Sequence, residues 1–451
     1  MKGCLILQVV LTAALGAFAA NPITPEGEFL SDPAPRTGPD GALYLFGSRD
    51  KPGSGKAYCV GFNDVFETRD LVSWKIRRGV LASVGPSDGI PASDAPLYAP
   101  DAIFHGGKWH IFYCMPDKAH REGVASAPSV DGPFKTAFAY PWAKQIDPSV
   151  FRDDDGTLYY FWGQISAKGA VLKNDLSGIE PGSLHEDVID EAGHGFHEGV
   201  QLVKRGRLYY LVYADISRRG RPTCIGYATA EKPFGPYVYR GAIIDNFGCD
   251  PETWNNHGGI FEYGGRWYVA YHRATNASRA LRKACIEPIE FDGDGFIKEV
   301  EMTSNGAGPL LDPFAETAAR FACVLSGSAR IATLRGGRER ISSIKNGDSA
   351  IWRYFDVMRP AAKLVLRAVP RFGGTIELRD GDGASYGRVA VPKGDGTAEV
   401  ELSMPLDRQF PQGKRAVVLR FHGDRWRSPA GGSSSAGLFD IVSFRLVPAA
   451  E

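Results

Sequence analysis

Between Ser31 and Arg273 the chain repeats one pattern of polar and apolar positions five times. Each copy is an acidic residue or histidine, a few residues of strand character, a polar turn centred on glycine, and an aromatic-rich apolar run. The copies begin at Asp32, Asp101, Asp147, Glu198 and His257. Their closing runs follow Gly41, Gly107, Gly156, Gly206 and Gly265, as in Gly206-Arg-Leu-Tyr-Tyr-Leu-Val-Tyr213. A period of roughly 45–70 residues built from strands and tight turns predicts a β-propeller with one repeat per blade, and five copies predict five blades.

The pattern changes after Arg273. Ala284 to Phe291 and Phe296 to Met302 flank a turn at Asp292-Gly-Asp-Gly295, which predicts one more hairpin to complete the last blade. A Gly/Pro-rich passage from Ser304 to Pro313 marks a boundary. Beyond Glu316 come short strands separated by Gly turns, among them Leu364–Val369, Gly374–Arg379, Val417–Phe421 and Phe439–Leu446. Their spacing, without long helices, predicts a β-sandwich of the jelly-roll kind. The expected chain is therefore all-β, with a leader at 1–20, a five-bladed propeller at 21–312 and a sandwich at 316–451.

Composition narrows the function. The chain has 451 residues, with 52 basic against 52 acidic side chains, so no basic field recommends nucleic acid as a partner. Met1-Lys2-Gly3, an apolar stretch from Cys4 to Phe18 and the small residues Ala17, Ala19 and Ala20 have the three parts of a cleavable export signal, too short to span a membrane. The mature protein is expected to be periplasmic or extracellular. Of seven cysteines, Cys4 lies in the leader; the other six show no Cys-x-x-Cys spacing, which argues against structural zinc, and leave fifteen pairings open. Cys114, ending an apolar run, is expected to be a buried small hydrophobe.

In a propeller, equivalent positions converge near the axis, so four carboxylates and an imidazole are expected at one end of the inner strands. Asp32 and Asp147 each precede proline, which favours β or polyproline geometry and would fix where each carboxylate points. Glu198 precedes Gly199, which leaves space beside its carboxyl. Two carboxylates in different environments can divide into acid and base, as glycoside hydrolysis requires. A third nearby would raise the acid's pKa by repulsion.

Ser31-Asp32-Pro33, Tyr98-Ala99-Pro100-Asp101, Ile146-Asp147-Pro148-Ser149, His197-Glu198-Gly199 and Asn255-Asn256-His257-Gly258, in this order and spacing, resemble glycoside hydrolase family 43 from about Asn21 to Asp312. The resemblance implies an inverting glycosidase with Asp32 as general base, Glu198 as general acid and Asp147 as the group that tunes and orients the acid. It also implies substrate contacts from Asp101, His257 and Arg273, and a possible calcium ion contacted through water at His257. Trp74 and Trp254 are candidate sugar-stacking residues. The expected substrate is a poly- or oligosaccharide of the plant cell wall, from which terminal α-L-arabinofuranosyl or β-D-xylosyl units are removed. Ile146 stands where several family xylosidases carry an aromatic residue. β-D-Galactofuranosidase, endo-arabinanase and a non-catalytic glycan-binding propeller are the alternatives. A retaining sucrose- or fructan-cleaving enzyme is disfavoured, because Ser31-Asp-Pro-Ala and Glu198-Gly replace the Asn-Asp-Pro-Asn and Glu-Cys motifs typical of that group. From Glu316 the chain resembles a family 6 carbohydrate-binding module, without the usual tryptophan near Lys393-Gly-Asp-Gly-Thr397. Trp352, Tyr354 and Trp426 remain as its aromatic candidates.

Overall fold

The structure, a computed structural model, describes residues 20–53, 58–423 and 437–449. The expected leader and Trp426 lie outside the described residues. The fold is all-β, and among the described residues the one α-helix is the single turn Glu191–His194. No helix there is long and apolar enough to cross a membrane.

Five antiparallel sheets follow one another along the chain, each built from consecutive strands. Their first strands are Ser31–Thr37, Asp101–His105, Ser149–Arg152, Phe196–Arg205 and Gly259–Tyr263. The turn glycines 41, 107, 156, 206 and 265 all have positive φ, and a Cβ on any of them would meet nothing within 4 Å. Glycine is needed there for backbone conformation, not for space.

Each sheet shares a core with the next. Phe46 and Val65 of the first pack with Trp109 and Ile111 of the second; Phe112 of the second with Tyr160 and Trp162 of the third; Phe161 of the third with Phe196 and Leu211 of the fourth; and Tyr210 and Tyr227 of the fourth with Tyr271 and Cys285 of the fifth. Tyr268 and Ala284 of the fifth sheet pack with Leu43, Leu45 and Phe66 of the first. A strand covered on both faces needs a continuous apolar run, not alternation, which is why Leu43–Ser48 is buried throughout.

The fifth sheet departs from expectation. It has three strands, Gly259–Tyr263, Arg266–Thr275 and Ser278–Ile289. The expected return arm 296–302 makes only isolated bridges, Phe291 with Ile297 and Ile244 with Val300. The free edge of Ser278–Ile289 is taken instead by residues 21–24. The Ile23 N–H donates to Ala284 O at 3.0 Å, and the Asn21 side chain exchanges hydrogen bonds with the Ile286 backbone at 2.9 and 3.0 Å.

Beyond residue 316, a six-stranded and a five-stranded sheet share one core. The strands Ala361–Pro370, Gly374–Asp380, Gly413–His422 and Phe439–Pro448 lie where the pattern placed strands. Trp352 is fully buried against Phe444, at 4.8 Å between ring centroids, so it is core and not a ligand platform. The Tyr354 hydroxyl donates to Glu301 at 2.6 Å, and Lys414 lies over its ring. All six cysteines among the described residues are buried and unpaired, Cys114 included.

Candidate active site

Asp32, Asp147, Glu198 and His257 meet in one cavity of about 380 Å³. The local backbone that aims the two aspartates differs from the β or polyproline geometry expected before proline. Asp32 has φ +52° and Asp147 φ +60°. Proline still disfavours right-handed α geometry at the preceding residue, and the neighbours select the left-handed well. The Asp32 N–H donates to His272 Nδ1 at 3.2 Å, and the Asp147 N–H to Cys114 Sγ at 3.3 Å. The pairing of Ser31–Thr37 with Leu43–Ser48 shifts register between Ser31 and Ala34, so Asp32 stands in a bulge that turns its carboxyl out of the sheet. Such conformations cost about 1–3 kcal/mol each and persist only where surroundings fix them.

Asp32 is buried. Ser48 Oγ donates to its Oδ2 at 2.8 Å and Arg282 Nη1 to its Oδ1 at 2.8 Å. Burial alone would raise its pKa, but Arg282 and the imidazoles of His257 and His272 outweigh it and bring it down to about 2. His272 is itself pushed down to about 3, first by burial and then by Arg282. It is a neutral imidazole at pH 7, accepting from the Asp32 N–H at Nδ1 and donating from Nε2 to Asn255 O at 3.1 Å.

Asp147 is the opposite case. Burial first, and then the charges of Glu198 and Asp32, raise its pKa well above the carboxylate range. His257 stands between the two aspartates, with Nδ1 3.6 Å from Asp32 Oδ1 and 4.0 Å from Asp147 Oδ2. Gly199, beside Glu198, has φ +71°, and a Cβ there would lie 2.8 Å from the His257 ring. The space that glycine provides is therefore occupied by the imidazole. Glu198 is less buried than either aspartate, and its Oε2 accepts from Gln164 Nε2 at 2.8 Å.

Three expected substrate residues are placed elsewhere. Asp101 accepts two hydrogen bonds from the Arg36 guanidinium and one each from the Val150 and Ala102 N–H groups at 2.8 and 2.7 Å. It is spent tying the first three sheets together. Trp74 packs on the cluster of Leu71, Phe261 and Tyr268. Arg273 follows His272 on one strand, and alternation sends it to the opposite face, where it bonds the Tyr271 hydroxyl, Thr303 O at 2.8 Å and Glu287 Oε1 at 3.3 Å. Trp254 and Ile146 do line the cavity; Trp254 is 50% exposed and carries Arg279 over its ring at 4.2 Å.

The basic residue of the site is Arg282, which the sequence reading missed. It donates to Asp32 and forms a two-pronged pair with Asp50 at 3.0 Å on each arm. The available signal was Arg282-Lys283 inside a strand flanked by apolar residues on both sides, since a charge buried in a sheet requires a partner. Tyr58, Tyr98, Gln164, His197 and Asn255 also line the cavity and were missed as site residues; His197 neighbours Glu198 on the strand Phe196–Arg205, and Gln164 bridges to Glu198 from the third sheet.

His257 also borders a narrow space among the five inner strands, next to Asp101 and Gln201. Among the described residues no three His, Cys, Asp or Glu side chains are grouped to hold a metal. With Asp101 occupied by Arg36, His257 and the Gln201 amide are the side chains there that could face a calcium ion, and water would have to complete its shell.

The sequence profile of glycosyl hydrolases family 43 matches residues 20–297. A Thermoclostridium stercorarium protein named xylosidase/arabinosidase is 28% identical over 469 residues, covering 89% of this chain and 96% of that one. An arabinoxylan arabinofuranohydrolase of Paenibacillus polymyxa is 25% identical, covering 91% and 72%. The crystal structure of the family 43 arabinoxylan arabinofuranohydrolase from Bacillus subtilis, in complex with cellotetraose, superposes with a TM-score of 0.54 at 23% identity over 96% of this chain and 99% of that one. That likeness is one of fold.

Proposed function

The chain belongs to glycosyl hydrolase family 43 and is a glycosidase, and from that premise we propose that it removes terminal α-L-arabinofuranosyl or β-D-xylosyl units with inversion of configuration. The observation that carries this reading is the convergence of Asp32, Asp147 and Glu198 in one cavity with opposed electrostatics. Asp32 is held anionic at the floor, Asp147 is pushed toward its neutral form, and Glu198 stands nearer the mouth. We also read the five sheets as the blades of a propeller, since the fifth packs on the first, and the part beyond residue 316 as a sandwich of carbohydrate-binding-module type.

In the proposed reaction, water held by Asp32 attacks the anomeric carbon on the face away from the leaving oxygen. Glu198 gives its proton to that oxygen as the glycosidic bond breaks, and Asp32 takes the proton of the water. The Glu198 carboxylate is then reprotonated from solvent. Positioned acid and base groups of this kind contribute about 10²–10⁴-fold each. A 380 Å³ cavity suits a terminal sugar and its neighbour better than the interior of a polymer.

Hydrolysis of matched arabinofuranosides and xylopyranosides with sugar and activated aryl leaving groups tests the assignment. Glu198→Gln is expected to lose about 10²-fold or more on the sugar leaving group and far less on the activated one. Full retention on both would sink it. Calcium belongs to the proposal through His257: the ion would be held by that imidazole and by water, and would supply positive charge beneath the carboxylates. Thermal unfolding after dialysis against a chelator, with and without added calcium, checks this, and identical midpoints would remove calcium from the account.

A further inference from the structure

The strand Leu158–Trp162 runs on into Gly163-Gln164-Ile165, of which Gln164 lines the cavity and Ile165 is the next residue outward. Ile165 has φ +70° and is 58% exposed. A β-branched residue in the left-handed region is a genuine outlier and is strained there. Its backbone is clamped on both sides: its N–H donates to His197 O at 2.7 Å, and its carbonyl accepts from the Glu191 N–H at 2.9 Å. Neither bond needs isoleucine, and glycine or asparagine would make both with less strain. The fold therefore gives no reason for an exposed apolar side chain here.

Its location gives one. Gln164, the preceding residue, donates from Nε2 to Glu198 Oε2, and its own N–H is held by Gln145 Oε1 at 2.9 Å. Resting on the reading of Glu198 as the acid, the departing oxygen must lie within hydrogen-bond reach of that carboxyl. The water lies on the other side of the sugar, against Asp32. The leaving group then has to extend from Glu198 past Gln164 toward solvent, where Ile165 stands. We propose that Ile165 is the apolar platform of the leaving-group subsite and that it takes the C–H face of a pyranose unit in the departing oligosaccharide. Gln164 lies between Ile165 and the acid, to which it is hydrogen-bonded.

Two substrates with the same terminal sugar test this: the glycosyl fluoride, whose leaving group is a single atom, and that sugar linked to a xylo-oligosaccharide. In both Ile165→Ala and Ile165→Asn, the ratio of kcat/KM for oligosaccharide over fluoride is expected to fall about tenfold, carried by KM for the oligosaccharide. Ile165→Asn should do so while melting higher than the parent, because asparagine tolerates the left-handed backbone. An unchanged ratio in active variants, or equal losses on both substrates, would overturn the platform while leaving the catalytic assignment intact. A parent enzyme that cleaves neither substrate would overturn both.

Discussion

Asp147 carries two opposed demands on one carboxyl. Its raised pKa means that the folded state binds a proton more tightly than the unfolded chain does, so its ionisation costs stability as pH rises from the ordinary carboxylate range toward the folded value. The charge of Glu198 is one of the causes of that rise, so the two carboxyls repel each other when both are ionised. Asp147→Asn keeps the shape, suits the left-handed backbone and removes the charge. It is expected to raise the melting temperature at pH 7–8 and to move the alkaline limb of the pH–rate profile to lower pH. An unmoved limb, measured by kcat/KM across pH, would show that Asp147 orients without tuning. Asp32 contributes little to that profile above pH 4, since Arg282 keeps it ionised down to about 2.

At the scale of strands and turns, the repeat was readable because every copy meets the same constraint: a turn glycine in the left-handed region between strands covered on both faces. Asp32, Asp147, Glu198 and His257 were readable for a related reason, since equivalent ends of inner strands face one cavity. Asp101 occupies the equivalent position but does not line the cavity, because Arg36 of the neighbouring sheet holds its carboxylate, and no periodicity encodes that cross-sheet pair. Arg273 and Arg282 were confused because both are arginines on paired strands of the last sheet. Only the alternation of faces along each strand, fixed once His272 is placed against Asp32, separates the structural arginine from the one at the site. The last hairpin was misread because its edge is filled by residues 21–24, more than 250 positions earlier in sequence.

For the whole molecule, the two parts are joined by groups that neither can satisfy alone. Lys283 Nζ of the fifth sheet pairs with Glu339 at 2.6 Å, both buried, and also donates to Pro25 O and Glu28 O at 2.8 and 2.9 Å. The Thr333 N–H donates to Asn276 Oδ1 at 2.7 Å, and the Leu325 N–H to Gly248 O at 2.7 Å. Ending the chain after Asp312 would remove the acid paired with Lys283 and expose apolar surface that the second part covers. The shortened chain is expected to be poorly soluble or to unfold at markedly lower urea; a soluble fragment with the parent's midpoint would contradict this.

The contact between Arg282 and Asp32 spans 250 residues, and that separation sets a clock on synthesis. At 5–20 residues per second, a ribosome needs roughly 10–50 s between making the aspartate and making its counter-ion. Until then Asp32 and Asp50 are ordinary carboxylates in water, with no reason to enter a cavity. The charge pair at the site therefore cannot form before the strand Ser278–Ile289 has been made, which leaves the site incomplete through most of the synthesis of the five sheets.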